Sequence, residues 1–268
     1  MKKLIALLLA LCMVMALAAR QIPNENPNGN TNPSDATEPS DATEPTTDIT
    51  LKAEGTMTYA EYMAAEVGSE VVIEAFVQNH QSWWDNKITI YAQDADGGYY
   101  LYNMVCSEEL SKQLTPGTKI RAKGAKTVWA GEVEIMEGTL EVLEGTYVAE
   151  PTDVTSLLGT EDLVNSQNKY VSFKDLTVVA SKDKDGNEKT FLYNWDGSGA
   201  EGSDSDLYFS ASVGDKTYTF VIECYLTGAD SDAYKAVQNL KIGDKIDLEG
   251  YLYWYEGVQP HIISVTVK

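Results

Sequence analysis

The sequence predicts a mostly β protein: two tandem five-stranded Greek-key barrels, each with a short helix between its third and fourth strands. Three observations predict it. An internal repeat at an offset of 126 aligns Gly117 with Gly243, Lys119 with Lys245, Ile120 with Ile246, Gly124 with Gly250 and Gly131 with Gly257. Apolar residues alternate along short segments bounded by Gly, Asn and Asp, the period of a half-buried strand. In each half these segments run in one order: a strand, a hairpin, a helix and two more strands.

The first copy opens with a capping box, Thr58-Tyr59-Ala60-Glu61, which starts a short helix through about Glu66. Glu70 to Val77 reads as a strand, followed by Lys87–Gln93 and Tyr99–Cys106 around a turn at Asp94–Gly98. Ser107 to Leu114 reads as a helix stopped by Pro116-Gly117, and Lys119–Lys126 and Glu132–Leu143 complete the set. The second copy has a short helix near Glu161, a strand from Lys169 to Ala180 and a hairpin at Asp185-Gly186-Asn187. Strands at Leu207–Val213 and Thr217–Tyr225, a helix at Asp230–Leu240 and strands at Lys245–Tyr255 and His261–Lys268 follow. Cys106 and Cys224 end matching strands at an offset of 118, which places an insertion between Cys224 and Gly243 of the second copy.

Before the repeat lie two segments of another kind. Residues 1–19 have the form of a signal peptide: Lys2 and Lys3, an apolar run from Leu4 to Met15, and small residues at Ala16–Ala19. Leu17-Ala18-Ala19 resembles a lipobox, but Arg20 stands where the lipidated Cys would be, so the chain as written is not expected to carry a lipid anchor. Residues 20–50 form a stalk with five of the 8 Pro and a doubled Pro-Ser-Asp-Ala-Thr-Glu, a composition with nothing to bury. The expected organisation is signal peptide 1–19, stalk 20–50, first barrel 51–148 and second barrel 149–268. The expected location is extracytoplasmic, secreted or held at the cell envelope, with membrane contact only through the N-terminus, as a monomer.

The Thr58–Tyr62 helix start, the Gln81-Ser82-Trp83-Trp84 turn and the strand from Gly117-Thr118-Lys119-Ile120 to Gly124 together resemble the OB-fold. More narrowly, they are similar to OB-type modules of exported proteins and lipoproteins of Gram-positive gut bacteria. The resemblance covers 51–148 well and 149–268 less tightly. It implies a binding module for an oligosaccharide, an oligonucleotide or a protein, with the ligand on strands two and three and their flanking loops.

That placement makes Trp83, Trp84, Tyr91, Tyr99, Tyr100 and Tyr102 of the first copy candidates for an aromatic ligand face. Two adjacent Trp in one loop do not both enter a core easily, so at least one is expected to meet ligand; the competing reading has the rings plug the barrel end. Trp129 and Trp254 read as structural. Lys119, Arg121 and Lys123 alternate along one strand face and, with Lys126, hold four of the seven bases in 51–148. They are candidates for tracking a phosphate backbone, but the second copy has Asp247 and Glu249 at matching positions, and a solvated strand face is the preferred reading.

The net charge of -21, from 20 Lys plus Arg against 41 Asp plus Glu, is shared by both copies and the stalk and argues against a general nucleic-acid coater. Two His and three Cys argue against a multi-ligand zinc site, and no metal or cofactor is expected. The Asp183–Glu188 turn fails as an EF-hand because Leu192 stands at position twelve; Asp196, Glu201, Asp204 and Asp206 lie in a loop read as solvated, with weak calcium binding as the alternative. Cys106 and Cys224 read as two copies of one buried free thiol. His80 and His261 fall in different copies and no strained nucleophile motif accompanies them, so no catalytic machinery is expected. The expected function is a non-catalytic binding protein for a glycan or cell-surface protein. The alternative is an accessory of extracellular nucleic-acid processing that holds single strands.

Overall fold

The computed structural model describes residues 49–268. The signal peptide read at 1–19 and all but the last two residues of the stalk lie outside the described residues. Along the first copy come α1 (Tyr59–Ala64), β1 (Glu70–His80), β2 (Lys87–Gln93), β3 (Gly98–Val105), α2 (Glu108–Ser111), β4 (Thr118–Trp129) and β5 (Glu132–Thr146). The five strands close into a barrel in the order β1-β2-β3-β5-β4, with β3 and β5 parallel.

The second copy contributes β6 (Thr152–Asp153), two 3-10 turns at Thr155–Leu157 and Glu161–Ser166, β7 (Tyr170–Val179), β8 (Ser181–Lys182), β9 (Glu188–Lys189) and β10 (Phe191–Tyr193). It continues with β11 (Leu207–Val213), β12 (Lys216–Ile222), α3 (Cys224–Thr227), α4 (Asp232–Asn239), β13 (Lys245–Tyr251) and β14 (His261–Val267). Strands β7, β11, β12, β14 and β13 repeat the first barrel's order, closed by the β11–β7 pairing and with β12 and β14 parallel. Both copies are therefore OB-like barrels. The insertion in the second is the α3–α4 pair where the first has α2 alone.

The repeat identities have physical causes. Gly117 and Gly243 sit at φ +92° and +98°, left-handed backbone that only Gly adopts freely, and both lead into the fourth strand. Gly124 and Gly250 mark close crossings: a Cβ on Gly124 would stand 2.8 Å from the Met136 carbonyl oxygen, and one on Gly250 would stand 2.2 Å from that of His261. Ile120 and Ile246 are fully buried, each in its own barrel.

At the N-terminus the capping box forms as read. The Thr58 side chain accepts from the Glu61 amide and the Glu61 carboxylate accepts from the Thr58 amide. The other end of α1 is held by Lys126, whose Nζ donates to the carbonyls of Met63 and Ala65 at 2.6 and 2.9 Å.

Several elements are shorter than their sequence pattern. The helix read at Ser107–Leu114 runs only over Glu108–Ser111, with Ser107 as its N-cap. The strand read to Tyr255 stops at Tyr251, and the one read to Tyr225 stops at Ile222 because Cys224 opens α3. Cys106 and Cys224 are buried free thiols in the cores of different barrels. Burial pushes the Cys106 thiol up to about 11 and raises that of Cys224, so both are poor nucleophiles at neutral pH.

Candidate functional site

On β2 the residues Ile88, Ile90 and Ala92 point into the first core, while Thr89, Tyr91 and Gln93 point outwards. All six are nonetheless buried, and at Tyr91 and Gln93 it is the second barrel that covers the outward face. Tyr91 stacks on Tyr251 at 4.4 Å and 10°, and its hydroxyl shares a 2.9 Å hydrogen bond with His261 Nδ1. Tyr100 meets Tyr253 edge-on at 5.2 Å, and Tyr102 packs beside them. Gln93 accepts from the Tyr170 amide at 2.8 Å. A Cβ on Gly98 would stand 2.3 Å from the Asn168 backbone, so here the two barrels approach main chain to main chain. The proposed ligand face of the first copy is thus corrected: Tyr91 and Tyr100 belong to the seam between barrels, and Tyr102 packs against it. Tyr99 faces the first core, where its hydroxyl donates to Asp94.

Two carboxyls lie at this seam. Glu132 is fully buried and accepts from Asn168 Nδ2 at 2.5 Å and from the Trp254 amide at 2.9 Å. Burial outweighs those bonds and pushes its carboxyl up to about 8. Glu134, also buried, is pushed up to about 7 by burial.

The basic stripe is a ladder of ion pairs. Arg121 lies between Glu74 and Glu141, which face it across β1 and β5, at 2.8 Å from each. Lys119 pairs with Glu74 at 3.1 Å and Lys123 with Glu70 at 2.9 Å. Burial alone would raise the Glu74 carboxyl, but Arg121 and Lys119 outweigh it and hold it below the ordinary range. Lys126 leaves the stripe: a register shift between Lys123 and Ala125 turns it inwards beneath α1. Each of the three bases on this face is thus held by an acid of a neighbouring strand.

The Trp pair divides as a two-residue loop position demands. Trp83 packs against the first core and donates from Nε1 to the Cys106 carbonyl at 2.8 Å, whereas Trp84 is 80% exposed.

The open counterpart of the covered face lies on the second barrel. A groove of about 600 Å³ runs over β11 and β12, with Tyr208 and Val221 in its floor. Its walls carry Trp129 from the β4–β5 turn, Trp195 from the long loop before β11, and Tyr255 from the β13–β14 turn. These rings are 61%, 75% and 45% exposed, a strong departure for residues that normally bury most of their surface. Trp129 and Tyr255 are the repeat-related pair at offset 126. They arrive together because the two turns touch: the Glu256 amide donates to the Ala130 carbonyl at 2.7 Å.

Five polar side chains line the same groove: Asp206, Glu223, Glu256, Gln259 and His261. Asp206 accepts from the Cys224 amide at 2.8 Å, and burial raises its carboxyl. Glu223 Oε2 lies 3.1 Å from His261 Nδ1 yet accepts no hydrogen bond from any described residue. His261 is itself stacked on Tyr253 at 4.3 Å, so the groove floor is braced by the aromatic seam behind it. The result is an aromatic-walled depression edged by carboxylates, with Glu223 Oε2 itself buried against His261.

No family model matches the chain, and no curated protein matches it. Among solved structures it is similar to the p204 HINb domain, at 12% identity and a TM-score of 0.33 over 76% of this chain and 100% of that one. It is also similar to a murine DNA binding protein bound with double-stranded DNA, at 11% and 0.33 over 74% and 94%. A third match is asparaginyl-tRNA synthetase from Pyrococcus horikoshii, at 17% and 0.26 over 37% of this chain; only 25% of the synthetase is covered. Likeness at this level carries no functional argument, so the candidate site rests on its own geometry.

Sequence reasoning had Trp254 as structural, and it packs against the second core; Trp129, read the same way, instead stands in the groove wall. Trp195, Tyr208, Tyr253 and Tyr255 were missed. The available signal was the alignment of Trp129 with Tyr255, two rings kept at one turn position. The Asp183 turn is a local hairpin, with Asp183 accepting from the Asp185 and Asn187 amides. Among the described residues no three His, Cys, Asp or Glu side chains group as a metal site would require.

Proposed function

We propose that this chain is an extracytoplasmic, non-catalytic binding protein for a neutral glycan, held in the groove over β11 and β12 and not on the covered β2–β3 face. The observation that carries this reading is the meeting of Trp129, Trp195 and Tyr255 above Tyr208, with Asp206 and the exposed Glu256 beside them. Flat rings stack on the apolar faces of sugars, and carboxylates accept strongly from hydroxyl groups. A polyphosphate would meet carboxylates in the groove and, on the first barrel, bases already paired with acids. The export signal at 1–19 supports the extracytoplasmic part of the reading; among the described residues no helix is long and apolar enough to cross a membrane.

The test is calorimetric titration of the full chain with neutral oligosaccharides and with single-stranded DNA at low and high salt. Sugar binding that ignores salt is expected. Binding of DNA alone, falling steeply with salt, would overturn the proposal.

A further inference from the structure

Beside the groove lies a second depression, of about 780 Å³, lined by Trp84, Tyr225, Asp85, Asn103 and Asp204. Its own aromatic pair is exposed, Trp84 at 80% and Tyr225 at 53%. Both rings sit on braced backbone. Trp84 and Lys87 exchange two main-chain hydrogen bonds at 3.1 and 2.9 Å around Asp85 and Asn86, whose φ of 46° and 57° make a tight hairpin turn. Tyr225 lies in the first turn of α3, and its carbonyl accepts from the Ser82 amide at 2.8 Å, across the two barrels. Neither ring belongs to a hydrophobic core.

The two depressions share a wall. Asp204 and Tyr225 face the second depression, while Asp206 and Glu223, each two residues away in sequence, face the groove. The Asp206 carboxylate accepting from the Cys224 amide ties the two segments together, and Gln81 of the first barrel donates from its side chain to Glu223. Rings and carboxylates therefore stand on both sides of one wall.

We infer that the Trp84–Tyr225 depression is a second sugar subsite, and that the ligand is a linear neutral oligosaccharide crossing the wall from one depression to the other. The inference rests on the glycan reading above and deepens it: the site takes a chain, not a single sugar. The charge supports this occupant, since Asp85 and Asp204 repel anions and accept from hydroxyls, as Asp206 and Glu256 do in the groove. Two linked subsites raise affinity with chain length until both are filled and leave it flat beyond.

The experiment titrates the full chain and two variants, Trp84→Ala and Trp195→Ala, with graded series of neutral gluco-, manno- and N-acetylglucosamine oligosaccharides from disaccharide to octasaccharide. For the unaltered chain, affinity is expected to climb with length and then level off. Trp84→Ala is expected to remove that climb, costing roughly tenfold for the longest sugars and nothing for the shortest. If Trp195→Ala weakens every sugar while Trp84→Ala leaves the length dependence intact, the second subsite is wrong and the glycan reading stands. If no sugar of any length binds, both fail. Trp84→Ala removes a ring from the surface, so the variant folds, and unchanged urea unfolding checks this.

Discussion

The two barrels share one strand order and put aromatic side chains on the same outward face, yet one face is buried and the other open. On the first, Tyr91, Gln93 and Tyr100 lie against Tyr170, Tyr251, Tyr253 and His261. On the second, Tyr208 and Val221 floor a groove flanked by Trp129, Trp195 and Tyr255. The difference lies in what the connections bring. Gly98 lets the Asn168 backbone press on the first face, whereas the loop before β11 sets Asp206 beside the second. An OB-like surface is thus a packing surface or a binding surface according to its loops, and aromatic content alone does not distinguish them.

The comparison breaks most readily at the seam. Tyr91→Ala removes a fully buried ring with its stacked partner and its bond to His261, and should cost about 3–5 kcal/mol of stability in urea unfolding. An effect within ~0.5 kcal/mol would mean the first face is free. Next in size is Arg121→Ala, which leaves the buried Glu74 carboxylate with Lys119 as its remaining basic partner and should lower the urea midpoint. Unchanged stability would instead return Arg121 to the list of residues free to meet a ligand.

A pH series sharpens the same contrast. The Glu132 and Glu134 carboxyls sit at about 8 and 7 in the folded chain, both raised by burial, against an ordinary value near 4.5. The folded state therefore keeps protons that the unfolded state has lost. The stability this brings is complete below about pH 4.5 and lost as pH rises through 7 to 8. Between about pH 5 and pH 8.5 the unfolding free energy should fall steadily, and Glu132→Gln should flatten much of that fall. A rise over that window would contradict the assignment. The smallest change in stability belongs to the open groove: Trp195→Ala should leave the unfolding midpoint within about 0.5 kcal/mol while weakening sugar binding.

Much of the fold was legible because its cues are local. The Gly117/Gly243 and Gly124/Gly250 pairs report backbone geometry, and the Thr58–Glu61 box reports a helix start, without reference to distant residues. The site was less so. Thr89, Tyr91 and Gln93 alternate in the same way whether they face water or a second barrel, and nothing near Tyr91 announces Tyr251. The basic stripe was visible, but the acids that neutralise it lie on β1 and β5 and meet it only through strand register. Trp129 and Tyr255 were visible as a repeat pair; that their turns touch and share a groove is a tertiary fact.

The most direct test of the open-and-covered account is the affinity of the double variant Trp129→Ala, Trp195→Ala for the tightest neutral oligosaccharide, measured by calorimetry beside the unaltered chain. The account requires a loss of at least ~tenfold with the unfolding midpoint unchanged. Full affinity in the double variant would place the ligand elsewhere and contradict it.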